Sequence, residues 1–293
     1  MILLTTIDLQ IPTTTPPLGP GLAHKVLQYL GQKPQAPSLA ALDALVTAYT
    51  RRVPWESASR IVKRANAPLL IDRPRWPAEF WGDAMRLGTG GTCFESNYAF
   101  FSLLRFLGYE GHLTINNMGE TVGCHTAIVI TLEGQPYLVD VGLPIYLPLP
   151  LDPTQTTHRA TVFHTYSATP LGSGHYRIER DHHPRPDCFT LIDTPIEDAT
   201  YRAATMTDYS EHGLFLDRVI VNRVVDGYIW RFASEQAPYQ LEVFQNGEKT
   251  FFYLGDDPST AAEKVARQFN LDETLLRTAL QSLLVPVERQ ISA

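Results

Sequence analysis

Three residues of this chain have the types needed for acyl transfer or hydrolysis through a thiol: Cys93, His125 and Asp140. Cys93 sits in Gly88-Thr89-Gly90-Gly91-Thr92-Cys93-Phe94-Glu95-Ser96-Asn97, and an apolar-rich run, 98–107, follows. Thr92 with Glu95 three residues later fits a capping box, which predicts Thr92 at the N-cap and Cys93 at the first helical position. A thiol there meets the positive end of the helix dipole and is expected to ionise below the free value of about 8.5. The bland alternative is a small buried core cysteine. A phosphate cradle is a weaker one, since the Lys-Ser/Thr ending of a P-loop is missing.

His125 opens one β-rich run and Asp140 lies near the end of the next, with Glu133, Gly134 and Gln135 between the runs. If Glu133-Gly134 form a two-residue turn, His125 faces Gly142 and Asp140 shares its face two residues away. Such diagonal neighbours lie about 7–8 Å apart at the backbone, within side-chain reach. A carboxylate on one ring nitrogen fixes the tautomer and leaves the other nitrogen for a thiol. Taken alone, the pair also reads as a surface histidine and an aspartate capping a loop.

These groups need a helix and a hairpin to hold them. Helices are predicted from Gly21 to Leu30, from an N-cap at Ser38 through Tyr49, from Pro77 through Met85, and after Thr92. Beyond Gly108 the pattern turns to strands: 125–132, 136–141, 160–167, 175–180, 188–191, 218–225, 228–232, 241–244 and 250–254. Helices 258–269 and 272–284 close the chain, and the proline-rich stretches 11–20 and 144–153 read as an extended arm and a surface loop. Helices, then strands, then strands with terminal helices make the fold class α+β with two or three subdomains.

Of the 293 residues 44% are hydrophobic and 19% charged, the balance of a folded globular chain. A net charge of −7 argues against a general nucleic-acid binder. No apolar run has the length of a membrane span, and residues 1–10 hold no basic residue, a poor signal peptide. Cys93, Cys124 and Cys188 cannot all pair within one chain, so reduced thiols and a cytoplasmic location are expected. Cys124, His125, His182, His183 and Cys188 form no standard zinc spacing, so no metal is expected.

Taken together the motifs resemble the arylamine N-acetyltransferase family, including its amide-synthase relatives. Gly90-Gly91-Thr92-Cys93-Phe94-Glu95-Ser96-Asn97 is similar to the family's nucleophile box, Val53-Pro54-Trp55-Glu56 to its Val-Pro-Phe-Glu box, and Tyr137-Leu138-Val139-Asp140-Val141-Gly142 to its aspartate box. His125 falls where the family's histidine does. The resemblance implies a papain-like triad in which Cys93 is the nucleophile, His125 the base and Asp140 the orienting carboxylate. It implies a helical bundle over 1–107, a β-barrel over 108–208 and an α/β lid over 209–293.

Two positions depart from the pattern. Thr89 replaces the arginine usual before the glycines, and Ser57 replaces the asparagine usual after Glu56. Glu56 reads either as a member of a structural ion pair, the favoured reading, or as a pocket residue, and the arginine that would be its ready partner is missing. Trp55 and Phe94 are expected to wall an acceptor pocket, whereas Phe80 and Trp81 read more simply as core.

The function expected is transfer of an acetyl or other acyl group from acyl-CoA, through a cysteine thioester, to a small aromatic amine or hydrazine. Acyl-CoA is then a co-substrate and no cofactor is permanently bound. Three readings stand beside it: an amide synthase on a carrier-bound acyl chain, a cysteine hydrolase or transglutaminase-like enzyme, and a non-catalytic binding protein.

Overall fold

The computed structural model describes residues 15–284 except 212, 246 and 247, so the leader argument about residues 1–10 and the start of the proline-rich arm lie outside the described residues. Five helices and one short strand come first. Helix α1 (Pro20–Leu30) begins on a proline, whose missing N–H needs no partner there, and stops at Gly31 with φ 69°. Helix α2 (Leu39–Arg52) is capped by Ser38 Oγ, which accepts from Ala41 N at 3.2 Å. Strand β1 (Trp55–Glu56), α3 (Ala58–Asn66), α4 (Pro77–Leu87) and α5 (Cys93–Phe106) follow. From Cys93 to Leu104 every residue of α5 is buried, so this helix is the spine of the first core.

The middle of the chain is one antiparallel sheet. Its strands are β2 (Glu110–Met118), β3 (Thr121–Leu132), β4 (Gln135–Val139), β5 (Leu149–Pro150), β6 (Thr157–Ala160), β7 (Thr165–Gly172), β8 (His175–Arg180) and β9 (Asp187–Ile192). Their spatial order is β5-β4-β3-β2-β9-β8-β7-β6, and β5 approaches β6, so the sheet nearly closes into a barrel around a second apolar core.

Helix α6 (Asp198–Asp208) leads to β10 (Ile220–Val225), β11 (Tyr228–Ala233), β12 (Tyr239–Gln245) and β13 (Glu248–Gly255). These strands form a five-stranded sheet whose first member is β1, paired antiparallel with β10. Helices α7 (Pro258–Phe269) and α8 (Glu273–Leu284) cover it. Helix α3 also packs into this third core through Ala58 and Ile61. The chain entering α5 is thereby stitched to the C-terminal sheet.

The α+β class follows the sequence reading, but some elements do not. Expected strand 160–167 is a hairpin, β6 and β7, turned where Thr161 N donates to His164 O at 2.9 Å. The two-residue strands β1 and β5 were not expected either, β5 lying in the proline-rich stretch read as a loop, and three longer elements carried no readable pattern. In β2 the buried Asn116 breaks the apolar alternation, yet it is fully used: it donates to Thr114 Oγ1 and accepts from Ile192 N, each at 2.9 Å. Helix α3 buries only four residues, two of them Ser59 and Arg60, and α6 is anchored chiefly by Tyr201.

Candidate active site

Cys93 is the first residue of α5, as the spacing predicts, but the capping box does not form. Thr92 Oγ1 accepts instead from Arg60 Nη1 at 2.9 Å. Glu95 accepts from Arg75 N at 2.8 Å, from Arg75 Nη2 at 2.6 Å, and from the Tyr209 hydroxyl. Both side chains are claimed by donors from other segments, among them two guanidinium groups whose charge-assisted bonds are the stronger kind. Arg75 Nη2 also reaches Gly90 O at 2.6 Å, so one buried cation ties the loop to the helix it precedes. A Cβ on Gly90 would fall 1.7 Å from Pro54 O, which explains why this loop needs glycine.

The two departures from the family pattern are absorbed locally. Glu56 is fully buried and has no ion pair among the described residues: it accepts from Ser59 N at 2.9 Å, from the Ser59 hydroxyl, and from Gly90 N at 3.2 Å. The expected ion-pair role is corrected accordingly, because three hydrogen-bond donors stand where a cation was anticipated. Ser57 Oγ donates to Arg218 O at 2.8 Å and accepts from Ile220 N at 2.9 Å, joining α3 to β10.

The hairpin has the register expected. Leu132 pairs with Gln135 and Ile128 with Val139, across Glu133 and Gly134 with φ 50° and 81°. Strand β4 stops at Val139, and Asp140 turns inward. Its Oδ2 stands 2.6 Å from His125 Nε2. Its Oδ1 accepts from Gly142 N at 2.8 Å, Leu143 N at 2.9 Å and Asn97 Nδ2 at 3.1 Å. Nδ1 of His125 therefore remains for the thiol. Cys93 lies beside the imidazole, with its Sγ 3.8 Å from Cys124 O. A Cβ on Gly142 would fall 2.4 Å from Cys93 Cα, so the loop after Asp140 and the start of α5 touch backbone to backbone.

Burial by itself would push the His125 pKa down. The charge and hydrogen bond of Asp140, with the Cys93 sulfur alongside, outweigh it and push the value up to about 10. Two further thiols, Cys124 and Cys188, line the same cleft. Burial pushes Cys188 up to about 11 and raises Cys124 as well.

Asn97 is the member of this site that sequence reasoning left without a role. Besides Asp140 it holds Thr126 O at 2.6 Å and accepts from Val141 N at 3.0 Å. Its position four residues after Cys93, on the same helix face, was the available signal. Tyr201, whose hydroxyl bridges Phe94 O and Thr126 Oγ1 at 2.9 and 3.0 Å, left no such signal. Phe189, with its ring centroid 4.5 Å from that of His125, left none either.

A cleft of about 480 Å³ opens on Cys93 and His125 between the barrel and the five-stranded sheet. Trp55 lines it, edge-on to Phe215 with centroids 5.0 Å apart. Phe94 does not. It is 3% exposed and packs on Tyr201, because one residue along a helix turns a side chain about 100° away from its neighbour. Phe80 and Trp81 are fully buried core. Among the described residues no group of three or more His, Cys, Asp or Glu is placed to hold a metal ion, and no helix is long and apolar enough to cross a membrane.

The sequence model of a family described as N-acetyltransferase matches residues 38–228. No curated protein sequence matches the chain. Among solved structures, the arylamine N-acetyltransferase from Mycobacterium abscessus is similar over 90% of this chain and 99% of its own, with 20% identity and a TM-score of 0.70. That from Mycobacterium marinum covers 90% and 99% at 18% identity, with a TM-score of 0.76. The same M. marinum enzyme in complex with CoA covers 88% and 97% at 18% identity, with a TM-score of 0.71. The shared fold is the papain-like one, helices leading into a nearly closed barrel.

Proposed function

Because the chain belongs to the arylamine N-acetyltransferase family, and is an acetyl-transferring enzyme, we propose that it works by a two-step exchange through Cys93. In the first step the Cys93 sulfur attacks the thioester carbonyl of acetyl-CoA or a related acyl-CoA. The C–S bond to CoA breaks, and the proton held by His125 leaves with the CoA thiol. In the second step an aromatic amine or hydrazine attacks acyl-Cys93. The new C–N bond forms, the C–S bond to Cys93 breaks, and His125 takes the proton from nitrogen.

The observation that carries this reading is the Cys93–His125–Asp140 cluster itself, with the carboxylate 2.6 Å from Nε2 and the thiol on the cleft. Asp140 supplies the countercharge for an imidazolium, and four donors hold the carboxylate still. In this reading the division at 107/108 and 208/209 has a purpose: the helical part presents the nucleophile, the barrel presents base and carboxylate, and the C-terminal part walls the cleft. Trp55 is the aromatic residue proposed at the acceptor, and the CoA held by the M. marinum relative supports an acyl-CoA donor here.

Acetyl-CoA alone should add one acetyl mass to the intact protein, mapped to the peptide holding Cys93. The adduct should then be discharged faster by a neutral arylamine than by an alkylamine, which is almost wholly ammonium at pH 7. An adduct that persists unchanged in Cys93→Ala overturns the assignment. Discharge by water or thiols alone overturns the transferase reading.

A further inference from the structure

Between α6 and β10 the described residues form neither helix nor strand, yet this segment walls the cleft. Leu214 and Phe215 line it, and the Phe215 ring stands edge-on to Trp55. Phe215 has φ 60°, a left-handed backbone that is unfavourable for a bulky residue and persists only where the surroundings hold it. The holding is done by guanidinium groups. Arg73 Nη1 donates to Tyr209 O at 3.1 Å, Arg64 Nη2 to Leu216 O at 2.9 Å, and Arg60 Nη1 to Leu214 O at 3.1 Å. All three come from α3 and the segment that follows it.

Arg60 differs from the other two in what else it touches. It is fully buried, and the Nη1 that reaches Leu214 O also donates to Thr92 Oγ1 at 2.9 Å, one residue before Cys93. Its Nη2 donates to Asp208 at the end of α6, to the carbonyl at 2.7 Å and to Oδ2 at 2.6 Å. The guanidinium lies over the Tyr209 ring, 4.6 Å from the centroid, and the Tyr209 hydroxyl donates to Glu95, two residues after Cys93. Both sides of Cys93 are therefore tied to the start of the cleft wall, Thr92 through Arg60 and Glu95 through Tyr209. Arg64 and Arg73 make no such bond to α5 or its loop among the described residues.

Bonds from a charged donor are the strong kind, and a buried guanidinium that loses an acceptor finds no water to replace it. If Phe215 shifts, the Leu214 carbonyl shifts with it, and Arg60 can follow only by giving up Thr92 or Asp208. The wall and the start of α5 are thus held at one spacing by a single planar group.

We propose that Arg60 is a positioning residue for both half-reactions: it fixes the Leu214–Phe215 wall relative to Cys93, so that the acyl group and the incoming aromatic amine meet at a set distance. This rests on the acyl-transfer reading above and adds to it the residue that joins nucleophile and acceptor wall. Arg60 does not line the cleft and acts through Thr92 and Leu214. Thr92 and Asp208 do not line it either, so substitutions there probe the tie without altering the cleft surface.

Thr92→Val and Asp208→Asn loosen the tie from opposite ends, whereas Thr92→Ser keeps the hydroxyl. Single-turnover acetylation by acetyl-CoA gives one rate, and discharge of the acetylated enzyme by 4-methoxyaniline gives the half-saturating amine concentration. Thr92→Val and Asp208→Asn should each slow acetylation on the order of 10-fold, as for a lost bond to a charged group, and raise the half-saturating concentration at least about 3-fold. Thr92→Ser should restore both. In the double variant the effects should not multiply, because either change alone frees Arg60. Effects that do multiply mark two independent braces and overturn the proposal. Should Asp208→Asn fail to fold, Thr92→Val decides alone, and a half-saturating concentration equal to that of the wild type overturns the proposal. If the wild type forms no acetyl adduct, the acyl-transfer reading fails first and this proposal falls with it.

Discussion

Truncating Asn97 tests whether the aspartate is held by the helix that carries the nucleophile. Asn97 is fully buried and makes four bonds: to Thr126 O at 2.6 Å, to Thr126 Oγ1 at 3.4 Å, to Asp140 Oδ1 at 3.1 Å, and from Val141 N at 3.0 Å. In Asn97→Ala the buried Val141 N–H loses its acceptor, which costs about 1–3 kcal/mol, and the lost bond to an ionised carboxylate is worth about 1.5–3 kcal/mol. These effects overlap, so the expected destabilisation is roughly 3 kcal/mol rather than their sum. For a chain of this size about 1 kcal/mol corresponds to roughly 2 °C, which gives a fall in Tm of about 6 °C. Asn97→Leu, which keeps the volume, should fall nearly as far, because the polar demand and not the space is lost. Thermal denaturation gives the Tm, and single-turnover acetylation by acetyl-CoA should slow in both variants as Asp140 loses one of its donors. An Asn97→Leu protein within about 2 °C of the wild type, acetylated at the wild-type rate, refutes the reasoning.

Three further outcomes are expected. His125 has its pKa raised from 6.5 to about 10, so its contribution to stability is complete below about pH 6.5 and is lost as pH rises toward 10. The Tm should therefore decline across that window and decline less in Asp140→Asn; a flat wild-type profile counts against the pairing. Gly142→Ala puts a Cβ 2.4 Å from Cys93 Cα, and overpacking of this kind costs about 1–3 kcal/mol. A displacement of order 1 Å should slow acetylation about 100-fold, and an unaltered mass time course would rule this out. Finally, brief iodoacetamide treatment at pH 7 should label Cys93 first, since burial raises Cys124 and pushes Cys188 to about 11. Peptide mapping that finds Cys124 or Cys188 labelled first reverses the assignment.

What the sequence made legible was local. Cys93 is announced by its own loop, and the His125–Asp140 pairing follows from a turn at Glu133-Gly134 that leaves one register open. Ser38, Pro77 and Gly31 likewise mark helix ends through chemistry within a few residues. The capping box was wrong because its two side chains are claimed from far away, Thr92 by Arg60 and Glu95 by Arg75 and Tyr209. No periodicity reports a guanidinium that arrives from another helix. For the same reason β2 and α3 escaped notice: each hides polar residues that are satisfied only by the tertiary fold.

The position of Arg75 shows how the departure at Thr89 is tolerated. A guanidinium before the two glycines would meet the loop from within it, whereas Arg75 meets it from the segment ahead of α4. It reaches Gly90 O at 2.6 Å and lies within 3.5 Å of Thr89 Oγ1. Its pairing with Glu95 at 2.6 Å places the positive charge against the helix that bears Cys93, and Glu56 is left to neutral donors. Arg60 completes the arrangement from α3, joining Thr92 to Asp208 at 2.9 and 2.6 Å. Two cations from separate segments thus brace the residues on either side of Cys93. Removing one partner of such a buried pair is far costlier than the pair's net worth, by about 3–5 kcal/mol. Losing either guanidinium would therefore leave a buried carboxylate unpaired beside the start of α5. On the other side of Cys93 the loop after Asp140 comes to backbone contact because Gly142 carries no Cβ.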